Sequence, residues 1–289
     1  MMLTDRFTRR PLGKGGRGGW LITSVNGEPT PCHLAKVRIP PAWIRVQVDP
    51  SPEVHMVAVG YDAAGRKQRL YSAVHNASSQ DAKFRKVAKL LSEWEDIRSQ
   101  IEIDLNKRVE PNTTEHDAAL VAYLIYETGI RPGGFEDGVS QARAFGATTL
   151  QLRHVKPCTR GVRLKFVGKK GVRQNVLVTN PYLVRIFKKR KRATTAYTTA
   201  LFDVSVGYLR RYFKSLGSGI YSPKDFRTAR GTSLALELLG DRQRLPRSLA
   251  RRKRVVNRAL DRVARTLGNT RAVSRSAYVD PAIVEKFTL

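Results

Sequence analysis

Arg131, Lys169, Arg227, Asn269 and Tyr278 are residues of the kinds that can break and remake a phosphodiester without a metal. The transition state of such a reaction carries charge on the nonbridging oxygens, and arginine, always charged and bidentate, suits those oxygens. The departing 5′-oxygen needs a proton, which a lysine on a mobile hairpin can deliver. A tyrosine can attack the phosphorus, and with a phenol pKa of about 10 it leaves readily when the step reverses. The energy of the broken bond is then kept in the phosphotyrosine, so resealing needs no cofactor. The five residues occur in suitable settings and in order. Arg131 follows a helix that ends at Gly129, and Lys169 sits at the tip of FVGKKGV. Arg227 lies in PKDFRTARGT, while Asn269 and Tyr278 lie in LGNTRAVSRSAYVDP. Singly, each has an ordinary explanation as a phosphate contact, a turn residue, a helix terminator or a packed ring. Their joint order points to chemistry.

Other routes to the same cut have less support. Metal-activated water requires clustered carboxylates, yet the acidic residues show no such spacing. His33, His55, His75, His116 and His154 are scattered. No metal site is expected, and the absence of GxxxxGK[ST] argues against ATP-driven action.

The elements that must position these groups can be read from periodicity. Val37 to Tyr71 has strand texture, with turn residues at Asp62-Ala-Ala-Gly65. From near Asp81, Phe84, Val87, Leu91, Trp94, Ile97, Ile101 and Leu105 recur at helical spacing. A helix is predicted over about Glu115–Glu127 with Thr114 as N-cap and Gly129 as stop. Val162–Phe166 and Val172–Val178 flank Gly168-Lys-Lys-Gly171 as a basic hairpin. A helix over Ser248–Leu267 has an apolar side and an arginine-rich side. The expected fold is α+β: residues 1–30 as a flexible basic arm, 31–78 as a small antiparallel β domain, and 79–289 as a mainly α catalytic domain. Gly13, Gly15 and Gly18 fit GxGxxG, but a strand rather than a helix follows at Trp20, so the dinucleotide motif fails its context test.

Composition narrows the partner. Among 289 residues, 53 Lys and Arg face 24 Asp and Glu, a formal charge of +29, and 41% hydrophobic content suffices for a core. A folded chain this basic attracts polyanions, of which nucleic acid is the usual one. Cys32 and Cys158 form no CxxC, which suits a reducing, cytoplasmic setting over a disulfide framework or zinc site. The apolar run Ala118–Tyr126 is too short to span a bilayer, and the basic N-terminus shows no secretory pattern.

The stretches GYDAAGRKQRLYS, TGIRPG, FGATTLQLRHV, FVGKKGV, DFRTARGT and LGNTRAV…SAYVDP resemble type IB DNA topoisomerases, specifically their short viral and bacterial branch. The resemblance runs from about Ile39 to Pro281. It implies a small β-rich N-terminal domain and a mainly α catalytic domain that clamp duplex DNA, acting as a monomer with no metal, small-molecule cofactor or membrane. By the same resemblance Tyr278 forms a 3′-phosphotyrosyl link, Arg131 and Arg227 hold nonbridging oxygens, and Lys169 is the general acid. Asn269 stands where many relatives have histidine; a neutral amide can still donate one hydrogen bond. DNA contacts are expected from Gln68, Arg69, Tyr71, Lys170 and Lys224. The host would be a bacterium, phage or virus.

Two departures stand out. Pro-Gly-Gly-Phe follows Arg131 where the family has a small aliphatic residue, glycine, then polar and acidic residues. Arg69 replaces an aromatic of a base-contacting strand. The rival assignments are a tyrosine recombinase, which shares the Arg, Lys, Arg and Tyr groups, and a non-catalytic DNA binder. Lys224 where recombinases commonly show histidine, Asn269, and the leading β domain favour the topoisomerase.

Overall fold

The computed structural model describes residues 7–11, 20–24, 34, 37–49, 51, 53, 55–107, 113–133, 144–193, 196–240, 246 and 248–288. The chain divides into two units, Met1–Lys83 and Phe84–Leu289, and is α+β as expected.

The first unit is built of two three-stranded antiparallel sheets. One orders β1 (Phe7–Pro11), β2 (Trp20–Ser24) and β3 (Arg38–Ile39). Two stretches of the expected arm are thus paired strands. Residues 7–11 gain ladder partners in the Trp20–Ser24 run, with Phe7 opposite Ser24 and Pro11 opposite Trp20. The GxGxxG glycines lie outside the described residues. The second sheet orders β4 (Ile44–Val48), β5 (Met56–Tyr61) and β6 (Lys67–Tyr71). Its central strand is buried over Val57–Gly60, while β6 alternates, leaving Lys67, Arg69 and Tyr71 exposed. Ile22, Leu34, Ile39, Trp43, Val48, Val57 and Ala58 form this unit's core. The β5–β6 turn is held by Asp62, whose carboxylate accepts from Ala64 N and Arg66 N, both at 3.0 Å, and from Arg66 Nε at 2.9 Å.

Helix α1 (Ala73–Ser92) follows β6 directly and is succeeded by α2 (Trp94–Asn106). The single stripe from Phe84 to Leu105 is therefore carried by two helices broken at Glu93. The first helix starts well before Asp81; Ala73–Gln80 bury almost nothing and show no apolar period, so periodicity carried no sign of them. In the second unit α3 (Thr114–Thr128) is apolar on nearly every side and buried from His116 to Tyr126, as a central helix must be. Its N-cap is Thr113, one residue before the expected Thr114, with its side chain accepting from His116 N. A three-stranded antiparallel sheet of β7 (Val155–Cys158), β8 (Gly161–Val167) and β9 (Arg173–Val178) contains the expected hairpin plus one strand that periodicity missed. Helices α4 (Pro181–Arg192) and α5 (Val206–Ser215) complete the main core. Asp117, almost fully buried, ties α4 and the loop leading into α5 to α3 by accepting from Arg190 Nη2 and Asp203 N.

The last four helices are α6 (Pro223–Leu239), α7 (Leu249–Leu267), α8 (Arg271–Ala277) and α9 (Pro281–Thr288). Their own core joins Ala235, Leu239, Val256, Leu260, Val263, Leu267, Val279, Val284 and Phe287. Helix α7 occupies nearly the range its sequence pattern predicts: its apolar side seals this core, and Arg251, Arg254, Arg258, Arg262 and Arg265 are exposed. No helix among the described residues is long and apolar enough to cross a membrane.

Candidate active site

Two helix ends carry the first pair of functional side chains. Helix α3 stops at Gly129, which takes the left-handed conformation (φ 64°) and donates to Ile125 O. Glycine is favoured there because a Cβ is penalised at positive φ. A methyl group at 129 would also fall 2.7 Å from Leu267 Cδ2. The chain then turns through Ile130 into Arg131, whose carbonyl accepts from Ala147 N at 2.8 Å. Pro132 O accepts from Thr148 N at 2.8 Å. Gly133 (φ 91°) packs against Gly146 so closely that a Cβ on Gly146 would lie 2.4 Å from Gly133 Cα. Gly133 thus lets two main-chain segments meet, which pins the backbone of Arg131. Residues 134–143 lie outside the described residues.

Helix α7 ends in the same way. Gly268 (φ 62°) caps it, and Asn269 N closes the turn on Ala264 O at 2.8 Å. Asn269 Oδ1 accepts from Arg131 Nη2, which orients the amide. Its Nδ2 is buried with no protein partner. A buried amide donor left unpaired is costly, so this amide keeps donor capacity that no protein group takes up.

Arg227 lies on α6, one turn inside a start stabilised by Ser222 and Asp225. Asp225 Oδ2 accepts from Ser222 N at 2.8 Å and from Lys86 Nζ at 2.6 Å. Arg227 is only 3% exposed and donates to Gly129 O and Leu267 O. Each of these carbonyls sits two residues before one of the partnered side chains, Arg131 and Asn269, so one guanidinium staples both helix ends. Arginine has five N–H donors, and the carbonyls take two of them; Nε remains unpartnered. Burial, and then the nearby charge of Arg131, lower its pKa to about 10. It still carries its proton at neutral pH.

Tyr278 terminates α8, donating from its N to Ser274 O at 3.0 Å. Its carbonyl accepts from Thr232 Oγ1 at 3.2 Å, and its Cβ packs on Gly231, where a methyl group would lie 2.6 Å from the Tyr278 carbonyl oxygen. The Arg227 guanidinium carbon stands 4.8 Å from the centroid of the Tyr278 ring. Burial alone would push the phenol pKa up, but Arg227, Arg131 and Lys224 outweigh it, and the net shift is downward. A phenol so shifted ionises more readily and is a better potential nucleophile.

Arg131, Arg227, Asn269 and Tyr278, although up to 147 positions apart in the sequence (278 − 131), are therefore gathered in one place. Lys224 is exposed one helical turn before Arg227. Lys169 and Lys170 are exposed at the β8–β9 tip, where Lys170 takes a left-handed backbone (φ 60°). In the first unit, Gln68 donates from Nε2 to Asp62 at 2.9 Å, Arg69 is exposed, and Tyr71 stacks on His75 at 4.8 Å. A cavity of about 510 Å³ lined by Arg163, Arg230, Arg262, Arg265 and Glu127, among others, contains none of the five chemical groups. Gly231 and Thr232 escaped notice in the sequence. The available signal was a glycine inside the helical pattern of RTARGT, which usually marks a close approach.

Residues 71–288 match the family described as eukaryotic DNA topoisomerase I, catalytic core. The chain belongs to the type IB DNA topoisomerases. Among its relatives is the DNA topoisomerase 1B of Acanthamoeba polyphaga mimivirus, 26% identical over 260 residues, which cover 86% of this chain and 76% of the relative. The DNA topoisomerase 1B of vaccinia virus (strain Copenhagen) and the DNA topoisomerase I of monkeypox virus are each 22% identical over 232 residues, covering 80% of this chain and 72% of theirs. The family match takes in α1 to α9 and the whole gathered site, so the expected enzyme class, an isomerase acting on DNA, is that of the chain.

Proposed function

We propose that this type IB topoisomerase relaxes supercoiled duplex DNA by transient cleavage of one strand, rotation and resealing, with neither ATP nor a divalent metal. Tyr278 Oη attacks the phosphorus, the phenol proton leaves, and a Tyr–O–P bond forms to the 3′ side. The P–O5′ bond breaks, and Lys169 supplies the proton that the 5′-oxygen takes up. Arg131, Asn269 Nδ2 and the remaining N–H groups of Arg227 face the nonbridging oxygens as charge accumulates there. After rotation the 5′-hydroxyl attacks the phosphotyrosine, returns its proton to Lys169 and expels Tyr278. Gln68, Arg69, Tyr71, Lys170 and Lys224 contact the duplex, which the two units grip as a clamp, and one copy of the chain suffices.

The observation that carries this proposal is the Arg227 cation over the Tyr278 ring, at 4.8 Å. Stapling two carbonyls uses only part of a guanidinium whose burial beside a half-buried tyrosine is costly. The arrangement makes sense where a phenolate and then a phosphate must be stabilised. The test is relaxation of supercoiled plasmid in EDTA without ATP, comparing the intact protein with Tyr278→Phe. A ladder of topoisomers from the intact protein alone supports the route, and a strict Mg²⁺ requirement overturns the metal-free version.

A further inference from the structure

The β8–β9 hairpin presents Lys169 two residues beyond its last ladder pair, Val167 with Arg173. Such a tip swings with the flexing of both strands, while a general acid must meet its oxygen at hydrogen-bond range. Something has to fix the neck of the hairpin. Along β9 the face that includes Val176 and Val178 points inward, and Gln174 belongs to that face by alternation. It pairs with Phe166, which is buried, and is itself half-buried. A polar amide therefore occupies a position the pattern would give to an apolar side chain.

The surroundings of Gln174 explain the exception. Its Cγ lies against Gly168, where an added methyl would stand 3.2 Å away. Its amide lies directly on Gly268, where an added methyl would collide with Oε1 at 2.1 Å and Nε2 at 2.5 Å. Gly168 immediately precedes Lys169, and Gly268 immediately precedes Asn269, the partner of Arg131. The side chain thus spans the gap between the root of the hairpin tip and the cap of α7. On the other flank, Phe145 N donates to Val167 O at 2.8 Å, mooring β8 to the segment that braces Arg131.

We propose that Gln174 is a positioning residue for proton delivery, setting the Lys169 hairpin against the Gly268–Asn269 cap so that acid and phosphate-binding groups share one reference point. This rests on Lys169 being the general acid of the proposed reaction. Gln174 touches no reacting atom; it acts through where it holds Lys169.

The experiment measures single-turnover cleavage by the full chain and by Gln174→Ala and Lys169→Ala, on two duplexes. One duplex has an ordinary phosphodiester at the cleavage position. The other has sulfur in place of the bridging 5′-oxygen, and a thiol with a pKa of about 8.5 departs as thiolate without a donated proton. Loss of positioning by Gln174→Ala should slow the ordinary duplex by about tenfold to a hundredfold and leave the sulfur duplex close to the wild-type rate. Lys169→Ala should show the same pattern more strongly. Should Gln174→Ala cleave the ordinary duplex normally, or lose rate equally on both duplexes while Lys169→Ala is rescued by sulfur, the positioning role is overturned and the acid stands. Failure of sulfur to rescue Lys169→Ala would remove the acid assignment, and the positioning role with it. Cleavage persisting in Tyr278→Phe would remove the proposed reaction itself.

Discussion

Replacing Gly231 by alanine should separate the chemistry of this site from its stability. Gly231 lies in the interior of α6, four residues after Arg227 and so on the same face. Its φ is not among the positive values, and in a regular helix alanine is favoured over glycine by ~1 kcal/mol. Against that gain, the new methyl would stand 2.6 Å from Tyr278 O and 3.1 Å from both Tyr278 Cβ and Leu267 Cδ1. The crowded atom is main chain, so no side-chain rotation relieves it, and the Tyr278 backbone must retreat by roughly 0.8 Å to regain ordinary contact. Overpacking of this kind costs ~1–3 kcal/mol, leaving a net change of about 0 to 2 kcal/mol once helix propensity is counted. The retreat also lengthens the Thr232–Tyr278 bond from 3.2 Å and moves the nucleophile away from Arg227. A shift of that size at a reacting atom costs ~10- to 100-fold in rate. Covalent adduct formation on a nicked duplex, followed by denaturing gel, reads the rate, and a thermal melt reads the fold. A slow but well-folded Gly231→Ala protein is expected. Adduct formation at the wild-type rate would refute the claim that this glycine seats the nucleophile.

Three other outcomes are expected. Asn269→Ala and Arg131→Ala should each slow cleavage, and the double variant should lose less than the sum by ~0.5–3 kcal/mol, since the two side chains act as a hydrogen-bonded pair; additive losses would mean the pair is not coupled. Lys224→Ala removes one of the positive charges that lower the Tyr278 pKa, so the alkaline rise of the cleavage rate should move to higher pH, and a rise that stays put or moves down contradicts that field. His154 is 6% exposed, accepts from Gln151 N through Nδ1, and is held by burial, then by Arg153 and Lys156, at a pKa of about 4 against 6.5 when free. The unfolded chain therefore binds this proton first as pH falls from 6.5 towards 4. The wild type should lose up to ~3 kcal/mol more over that window than His154→Gln, measured by denaturant melts.

Much of this site was legible because helix ends announce themselves. Gly129 and Gly268 could be read as stops, and the residues just beyond them, Arg131 and Asn269, were singled out with them. The hairpin was legible from alternation around Gly168–Gly171, and α7 from its arginine-free stripe. What periodicity sees is burial, so it missed the solvated first turns of α1 and the short edge strand β7. It also merged α1 and α2, whose stripes run in phase across Glu93. Partnerships were harder. Nothing local to DFRTARGT states that Arg227 spends donors on two carbonyls from distant helices, or that Gln174 reaches across to a helix cap. Such contacts arise only when segments far apart in sequence meet, as Arg227 does with Leu267 and Gly129, 40 and 98 positions away, and as Gln174 does with Gly268.

The seat of Tyr278 has a mechanical side. In the proposed reaction the held end of the open strand hangs from this single side chain, and torque released by the rotating duplex is transmitted through it. Tyr278 is not on a free loop. Its amide is bonded to α8, its carbonyl to Thr232 of α6, its Cβ rests on Gly231, and Val279 beside it is fully buried in the core of the last four helices. A pull on the phenol oxygen is therefore shared between two helices and a packed interior. The joint resists tension while its chemistry remains reversible.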